Sequence, residues 1–373
     1  MADTAAIEAT MHLHLADGVG ALTFRKLIEA FGSPAAALDA GQAGWRSVHG
    51  IGEKTAAAIG AVTDEQVRDE LELADRAGVR IILAGDDEFP EALRNIHDCP
   101  ALLYVRGRLD RNDAVALGIV GSRRCTYYGL EQAERFGGLL ARAGFTVVSG
   151  GARGIDTAAH RGALAAGGRT LAVMGCGLSK TYPPENAELF EQIIAEDRGA
   201  LVSELPMAVG VQSRNFPLRN RIISGLTLGT LVVEAARKSG AMITAREAIE
   251  QGREVFAVPG RIDSVMSQGT NYIIGSGSAK LVQDLDDILD GLGEVGKALT
   301  TPEPTDDEKL TAAVLNPAER SLVAALKERE KSLDELVRET RLDASAVIST
   351  LTMLAIRGIV AQRPGSVFAL KRK

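Results

Sequence analysis

The sequence predicts an α/β protein: a doubly wound parallel sheet at its centre, a small all-helical segment before it and a winged helix after it. Two observations predict the sheet. Short apolar runs rich in β-branched residues recur between residues 77 and 291, and helical stretches separate them. That alternation gives parallel strands with helices on both faces. A third observation predicts the flanks, because strand candidates are missing before residue 77 and only two short ones follow three helices at the end.

The first segment, residues 1–76, reads as short helices joined by glycine turns. Gly18-Val19-Gly20 and Gly50-Ile51-Gly52 repeat one spacing, two glycines around an apolar residue and then a helix. That spacing is similar to the helix–hairpin–helix element, whose helix start offers free N–H groups to a phosphate. With 6 Lys/Arg against 12 Asp/Glu, the segment is better suited to packing or partner contact than to DNA.

In the middle segment, 77–291, the strand candidates are Val79–Ala84, Ala101–Val105, Ala114–Val120, Phe145–Ser149, Thr170–Met174, Ala200–Ser203, Thr230–Glu234 and Val255–Val258. Their short apolar character suits burial on both faces. Helices are expected over Gly129–Ala143, Asp156–Ala166, Glu185–Ala195 and Met242–Gln251. Residues 292–312 carry Thr300-Thr301-Pro302-Glu303-Pro304, the composition of a linker. In 313–373, helices at Asn316–Glu328, Ser332–Thr340 and Ala344–Arg357 precede a hairpin around Pro364-Gly365, the order of a winged helix. Its recognition-helix candidate offers one basic residue, Arg357, where a reader of base edges needs several. A degenerate winged helix used for packing or partner contact is expected, with Lys371-Arg372-Lys373 adding weak phosphate attraction.

Composition narrows the function. The 373 residues contain no apolar run long enough to span a bilayer, and the first residues lack the pattern of a secretory signal. Cys99, Cys125 and Cys176 are unclustered, which fits a reducing cytoplasm and argues against a disulfide framework. No paired His or Cys spacing suggests a metal, and none is expected. Net charge is -7, yet residues 205–246 hold six Lys/Arg against one acid, Glu234. A basic island in an acidic chain points to an anionic polymer.

Within that island, Arg214, Arg219, Asn220 and Arg221 surround Phe216. Guanidinium forks suit phosphate oxygens, and the ring is either a core anchor or a face for a nucleobase. In open α/β sheets ligands gather at the carboxyl ends of strands, so the loops there are the other candidates. They are Gly121-Ser122-Arg123-Arg124, Gly150-Gly151-Ala152-Arg153-Gly154, Gly175-Cys176-Gly177 and Lys238-Ser239-Gly240, the last leading to Thr244. The second does not match G-x-G-x-x-G, so a dinucleotide fingerprint is unsupported. Asp156 and Thr157 read as helix caps, and His160 as a packed or solvated residue. Glu234 is expected inside a strand, paired with an arginine. The loops bring only Asp156, Glu204 and Glu234 as acids, thin material for acid–base chemistry. A nucleotide-cleaving enzyme is therefore the alternative, and a binding protein the first reading.

Taken together, these motifs resemble the bacterial DNA-processing protein A (DprA, or Smf) family. The resemblance rests on Gly121-Ser122-Arg123, Ser149-Gly150-Gly151-Ala152-Arg153-Gly154-Ile155-Asp156, Asn215-Phe216-Pro217-Leu218-Arg219-Asn220-Arg221, Lys238-Ser239-Gly240-Ala241-Met242-Ile243-Thr244 and Gln251–Gly260. It implies an extended Rossmann-like domain that binds DNA and dimerises, with a sterile-alpha-motif-like or helix–hairpin–helix-like domain before it and a winged helix after it. It implies a cytoplasmic, non-enzymatic, cofactor-free protein that binds single-stranded DNA during natural transformation. There it would load the recombinase RecA and displace single-strand binding protein. By position Arg123 would contact phosphate, Phe216 would stack on a base, and Arg219, Arg221 and Lys238 would line the pocket. Some members carry a lysine three residues before that phenylalanine; here it is Ser213, and Arg214 stands beside it. The related phosphoribohydrolases carry P-G-G-x-G-T-x-x-E. The comparable stretch here, Val233 to Thr244, leaves the catalytic carboxylate position unfilled.

Overall fold

The computed structural model describes residues 4–195, 197–293, 295–296, 317–326, 329–340, 342–356, 360–363 and 367–370. The proline-bearing stretch of the linker, Arg357, the Pro364-Gly365 turn and Lys371-Arg372-Lys373 lie outside them.

Six helices come first: α1 (Thr4–Leu15), α2 (Ala21–Phe31), α3 (Pro34–Asp39), α4 (Gly41–Ser47), α5 (Glu53–Ala61) and α6 (Asp64–Arg76). The two glycine repeats fold alike. Gly18 and Gly50 take positive φ of 86° and 93°, Val19 and Ile51 are buried, and Gly20 and Gly52 cap α2 and α5 in extended conformation. Trp45 fills the core between these helices and donates from Nε1 to the Ala37 carbonyl at 2.5 Å. The helical group is fastened to the sheet by Glu70, buried on α6, whose Oε1 accepts from the Tyr104 hydroxyl at 2.8 Å and from Met207 N at 2.6 Å. Burial and this carboxylate push the Tyr104 phenol upward.

The sheet has nine strands: β1 (Val79–Leu83), β2 (Leu102–Gly107), β3 (Ala116–Val120), β4 (Thr146–Ser149), β5 (Thr170–Val173), β6 (Gly199–Ser203), β7 (Gly229–Val232), β8 (Glu254–Ala257) and β9 (Lys280–Leu281). Their order is β1-β2-β6-β5-β4-β3-β7-β8-β9. From β6 to β9 every pairing is parallel. The strand β2 runs against both its neighbours, so the sheet is mixed at that edge, where the alternating pattern predicted parallel pairing. The two-residue β9 is absent from the sequence-derived set because a run that short carries no readable period.

The helices on the two faces are α7 (Glu91–Arg94), α8 (Tyr127–Arg142), α9 (Ile155–Ala165), α10 (Ala187–Ala195), α11 (Asn215–Gly225), α12 (Gly240–Glu250), α13 (Gln268–Gly275) and α14 (Leu285–Gly291). Alternation along β3 decides which face each side chain serves. Leu117 and Ile119 join Phe136 of α8 and Ala159 of α9 in one core, whereas Ala116 and Val120 join Ile222 of α11 and Ala245 of α12 in another. Between β3 and β7 the chain reverses its direction of travel across the sheet. Such a switch point leaves a crevice at the strands' carboxyl ends.

The chain divides into two compact units, Met1–Thr300 and Thr301–Lys373. In the second, helices Pro317–Ala325, Leu333–Thr340 and Ala344–Ile356 accompany a three-stranded sheet of β10 (Lys331–Ser332), β11 (Val360–Arg363) and β12 (Val367–Leu370). Leu322, Leu336, Val347, Leu351 and Phe368 close its core. This is the winged-helix arrangement.

Candidate nucleic-acid interface

Five chain segments meet at the switch point and enclose a cleft of about 510 Å³, the fifth of them contributing Met266. The loop after β3 supplies Gly121, Ser122, Arg123 and Arg124, the loop after β4 supplies Ala152 and Asp156, and the turn after β7 supplies Ser239, Gly240 and Ala241. The fourth segment, α11 with its approach, supplies Ser213, Phe216, Arg219 and Asn220.

Local chemistry holds each wall. The Ser122 amide donates to the Glu234 carbonyl at 2.7 Å, and the Glu234 carboxylate accepts from Thr126 N at 2.8 Å and Thr126 Oγ1 at 2.7 Å. Glu234 lies just beyond β7 and braces the arginine-bearing loop; the strand position and arginine partner expected from sequence are both corrected. Asn220 Nδ2 donates to the Gly240 carbonyl at 3.3 Å and so ties α11 to the start of α12.

Arg219 is the keystone. It is only 4 % exposed, and Nη1 donates to the carbonyls of Gly150, at 2.7 Å, and Val173. These carbonyls belong to the ends of β4 and β5, so one side chain fastens α11 across two strands. Gly150 is required here: a Cβ on it would sit 2.5 Å from Arg219 Nη2. Burial lowers the Arg219 guanidinium to about 10, opposed by the attraction of Asp156. At about 10 it is still a cation at neutral pH. Asp156 is buried at the start of α9, accepts from Ala152 N at 3.3 Å, and is raised by burial to about 6 despite Arg219 and Arg123. The cap of α9 is Gly154, with no side-chain capping bond, so the cap readings of Asp156 and Thr157 are corrected; the Thr157 hydroxyl instead donates to the Ala152 carbonyl at 2.7 Å.

Phe216 presents a ring bracketed by cations. Arg123 lies over it at 4.4 Å and Arg219 approaches at 6.0 Å. Tyr182 stands at 5.8 Å, tilted by 45°, with Arg153 over its own ring at 5.8 Å. Three buried polar atoms nearby have no hydrogen-bond partner among the described residues: Asn215 Nδ2, Arg219 Nε and Ser239 Oγ. Buried donors left unpaired are costly, and two of these residues, Arg219 and Ser239, line the cleft. The end of α12, which starts at Gly240 with no side-chain cap, adds free N–H groups and a favourable dipole.

Of the residues expected from sequence, Gly121, Ser122, Arg123, Phe216, Arg219, Asn220, Ser239, Gly240 and Thr244 come together in the cleft lining. Gly150 lies beneath Arg219. Arg214 and Lys238 are exposed, and Lys238 immediately precedes Ser239. Gly151 is packed against Phe190, and Arg153 pairs with Glu185 at 2.5 Å. Arg221 is a correction to the pocket-lining role that the family resemblance implied. It is buried, turned to the other side of α11, and paired with Asp98 at 2.9 Å and Glu204 at 2.5 Å. A helix explains this, since residues two apart cannot share a face. His160 is buried rather than solvated. The Thr170 hydroxyl donates to the Val147 carbonyl and therefore accepts from His160 Nδ1–H at 2.6 Å, while burial lowers the imidazole to about 3.

Sequence reasoning placed Arg124 in the candidate loop without giving it a role, and missed Tyr182 and Met266. Tyr182 follows the glycines after β5 and had that loop as a signal. Met266 enters the cleft from a distant loop and has none.

Comparison with known proteins follows the same lines. The family described as DNA recombination-mediator protein A matches residues 80–293, and the DprA winged helix domain matches residues 302–366. Protein Smf of Synechocystis is 35 % identical over 93 % of this chain and 94 % of its own length. Protein Smf of Escherichia coli is 38 % identical over 78 % of each. Among solved structures, DNA processing protein A of Streptococcus pneumoniae superposes with a TM-score of 0.66 at 32 % identity, covering 76 % of this chain and 97 % of that one. DNA processing protein A of Helicobacter pylori, described for its single-stranded DNA binding mode, gives 0.51 at 27 % identity over 60 % and 98 %. Fold, motifs and full-length similarity agree, and the chain belongs to the DNA processing protein A (DprA, or Smf) family of DNA recombination-mediator proteins.

Proposed function

We propose that this protein binds single-stranded DNA in the switch-point cleft, without regard to sequence, and serves as a mediator that loads a RecA-type recombinase during natural transformation. The observation that carries the DNA reading is the Arg123–Phe216–Arg219 arrangement, a ring with guanidinium groups at 4.4 and 6.0 Å. A base has a π-face for the ring whatever its identity, and its phosphates suit the cations. The mediator role, the single-strand binding protein as a displaced competitor, a homodimer through the sheet domain and a cytoplasmic setting rest on family membership. Among the described residues, no helix is long and apolar enough to cross a membrane.

Binding rather than catalysis is supported by the acids. Among the described residues lining the cleft, Asp156 is the one carboxyl group, and it is engaged by the Ala152 amide. A nucleotide-cleaving reaction needs a second group for acid–base work. Incubation with nucleoside monophosphates should release no free base.

Filter binding of oligo-dT across a salt series tests the cleft. Arg123→Ala should reduce the slope of log affinity against log salt by about 0.7 for the lost single-strand phosphate contact. Phe216→Ala should cost about 1–3 kcal/mol with little change of slope. If affinity and slope are unchanged in both, the cleft is not the DNA site. A strand-exchange assay with RecA on protein-coated DNA tests the mediator role.

A further inference from the structure

The cleft continues past Arg123 along two neighbouring segments, the loop leading into α8 and the loop 259–267 after β8. They touch in two places. The Ser122 hydroxyl donates to Met266 Sδ at 3.6 Å, and the Tyr128 hydroxyl donates to the Pro259 carbonyl at 3.2 Å. The second loop is pinned at both ends. Asn271 exchanges hydrogen bonds with Gly260 at 3.1 and 2.9 Å, and the Gly269 amide donates to the Ala235 carbonyl at 2.8 Å.

On the outside of these braced segments stand large apolar groups open to water: Ile262 is 94 % exposed, Tyr127 82 % and Val265 57 %. Clustered apolar exposure on a pinned loop marks a contact surface. This one borders the cleft directly, because Ser122, Arg124 and Met266 belong to its lining. Two guanidinium groups flank it. Arg124 faces the cleft, and Arg261 is held at the surface by Asp263 at 2.8 Å. Tyr127 is the first residue of α8, after the Thr126 cap, so its backbone is fixed by a helix start.

We propose that this rim is a second station for the same DNA strand, where bases leaving the cleft rest on Tyr127 and on Ile262 and Val265 while phosphates pass Arg124 and Arg261. The inference rests on the cleft reading above and extends it. A protein partner would also cover apolar groups. The strand is favoured because the rim is continuous with the cleft and sets apolar faces beside two guanidinium groups, Arg124 and the Asp263-paired Arg261, chemistry that suits bases and phosphates.

The test is fluorescence anisotropy with the full chain, using oligo-dT of about four and about twelve nucleotides, within the range of strand lengths that single-strand binding folds engage. Tyr127→Ser combined with Ile262→Ser alters exposed side chains and should leave the fold intact, checked by thermal melting. The double variant should lose about tenfold in affinity for the longer strand and nothing for the shorter, whereas Phe216→Ala should weaken both. Wild-type affinity for the longer strand in the double variant would overturn the proposal. A change in sedimentation with unchanged DNA affinity would overturn it as well, and would make the rim a protein–protein surface. Unchanged binding of both strands by Phe216→Ala would remove the cleft reading itself, and with it the rim as its continuation.

Discussion

Asp156 and Arg219 form the opposed charges of the cleft floor, and their environments make the cleft sensitive to pH. The folded-state value of Asp156, about 6, lies above its ordinary 3.8 because burial disfavours the carboxylate. Its ionised form therefore costs stability, by roughly 3 kcal/mol at neutral pH. That cost is absent below about 4, grows between about 4 and 6, and is fully present above 6. DNA binding should follow the same titration, since the protonated carboxyl no longer repels phosphate. Oligo-dT affinity measured between pH 5 and 7.5 should strengthen as pH falls through about 6, and Asp156→Asn should remove the dependence. The same variant should bind roughly tenfold tighter at pH 7, the worth of one like charge at an intermediate distance and dielectric. A retained pH step in Asp156→Asn would assign it elsewhere. His160 is not that source, because it stays neutral down to about 3.

At the scale of elements, α11 carries the basic motif and divides it. Phe216 and Arg219 look into the cleft, while Arg221 closes an ion-pair cluster with Asp98 and Glu204. Arg221→Ala leaves these two acids without their cation, in a site where Glu204 is already raised by burial. Breaking such a pair typically costs about 3–5 kcal/mol, and denaturant unfolding should show it. The salt slope of DNA binding should stay that of the unmodified protein. A reduced slope would return Arg221 to the cleft. The basic island was visible as a composition, but its division needed the helix phase. The sequence places arginines at 219 and 221 without saying which one faces a crevice. Glu234 shows the same gap, since its partner Thr126 lies more than a hundred positions away.

For the whole molecule, every cleft-lining residue lies within Met1–Thr300, a unit with its own cores. A chain ending at Thr300 should therefore keep oligo-dT affinity to within about twofold, read by the same anisotropy measurement. A tenfold loss would assign DNA contact to the winged helix. The second unit has a core of Leu322, Leu336, Val347, Leu351 and Phe368. The helix Ala344–Ile356 carries no basic residue and the recognition-helix candidate ends on a single one, Arg357, so its contribution to duplex binding should be small.

Local chemistry determined much of this protein. The alternation of apolar runs and helices specifies an α/β sheet, and period-two and period-3.6 patterns are properties of neighbouring residues. Glycine and arginine motifs at strand ends likewise located the loops of the cleft, because strand ends are legible one at a time. Tertiary structure alone decided which loops meet. It set β2 against its neighbours, brought Met266 to Ser122, turned Arg221 from the cleft and gave Asp156 its raised pKa. The physical reason is that desolvation and through-space contact depend on what the remote chain covers, and no local pattern records that.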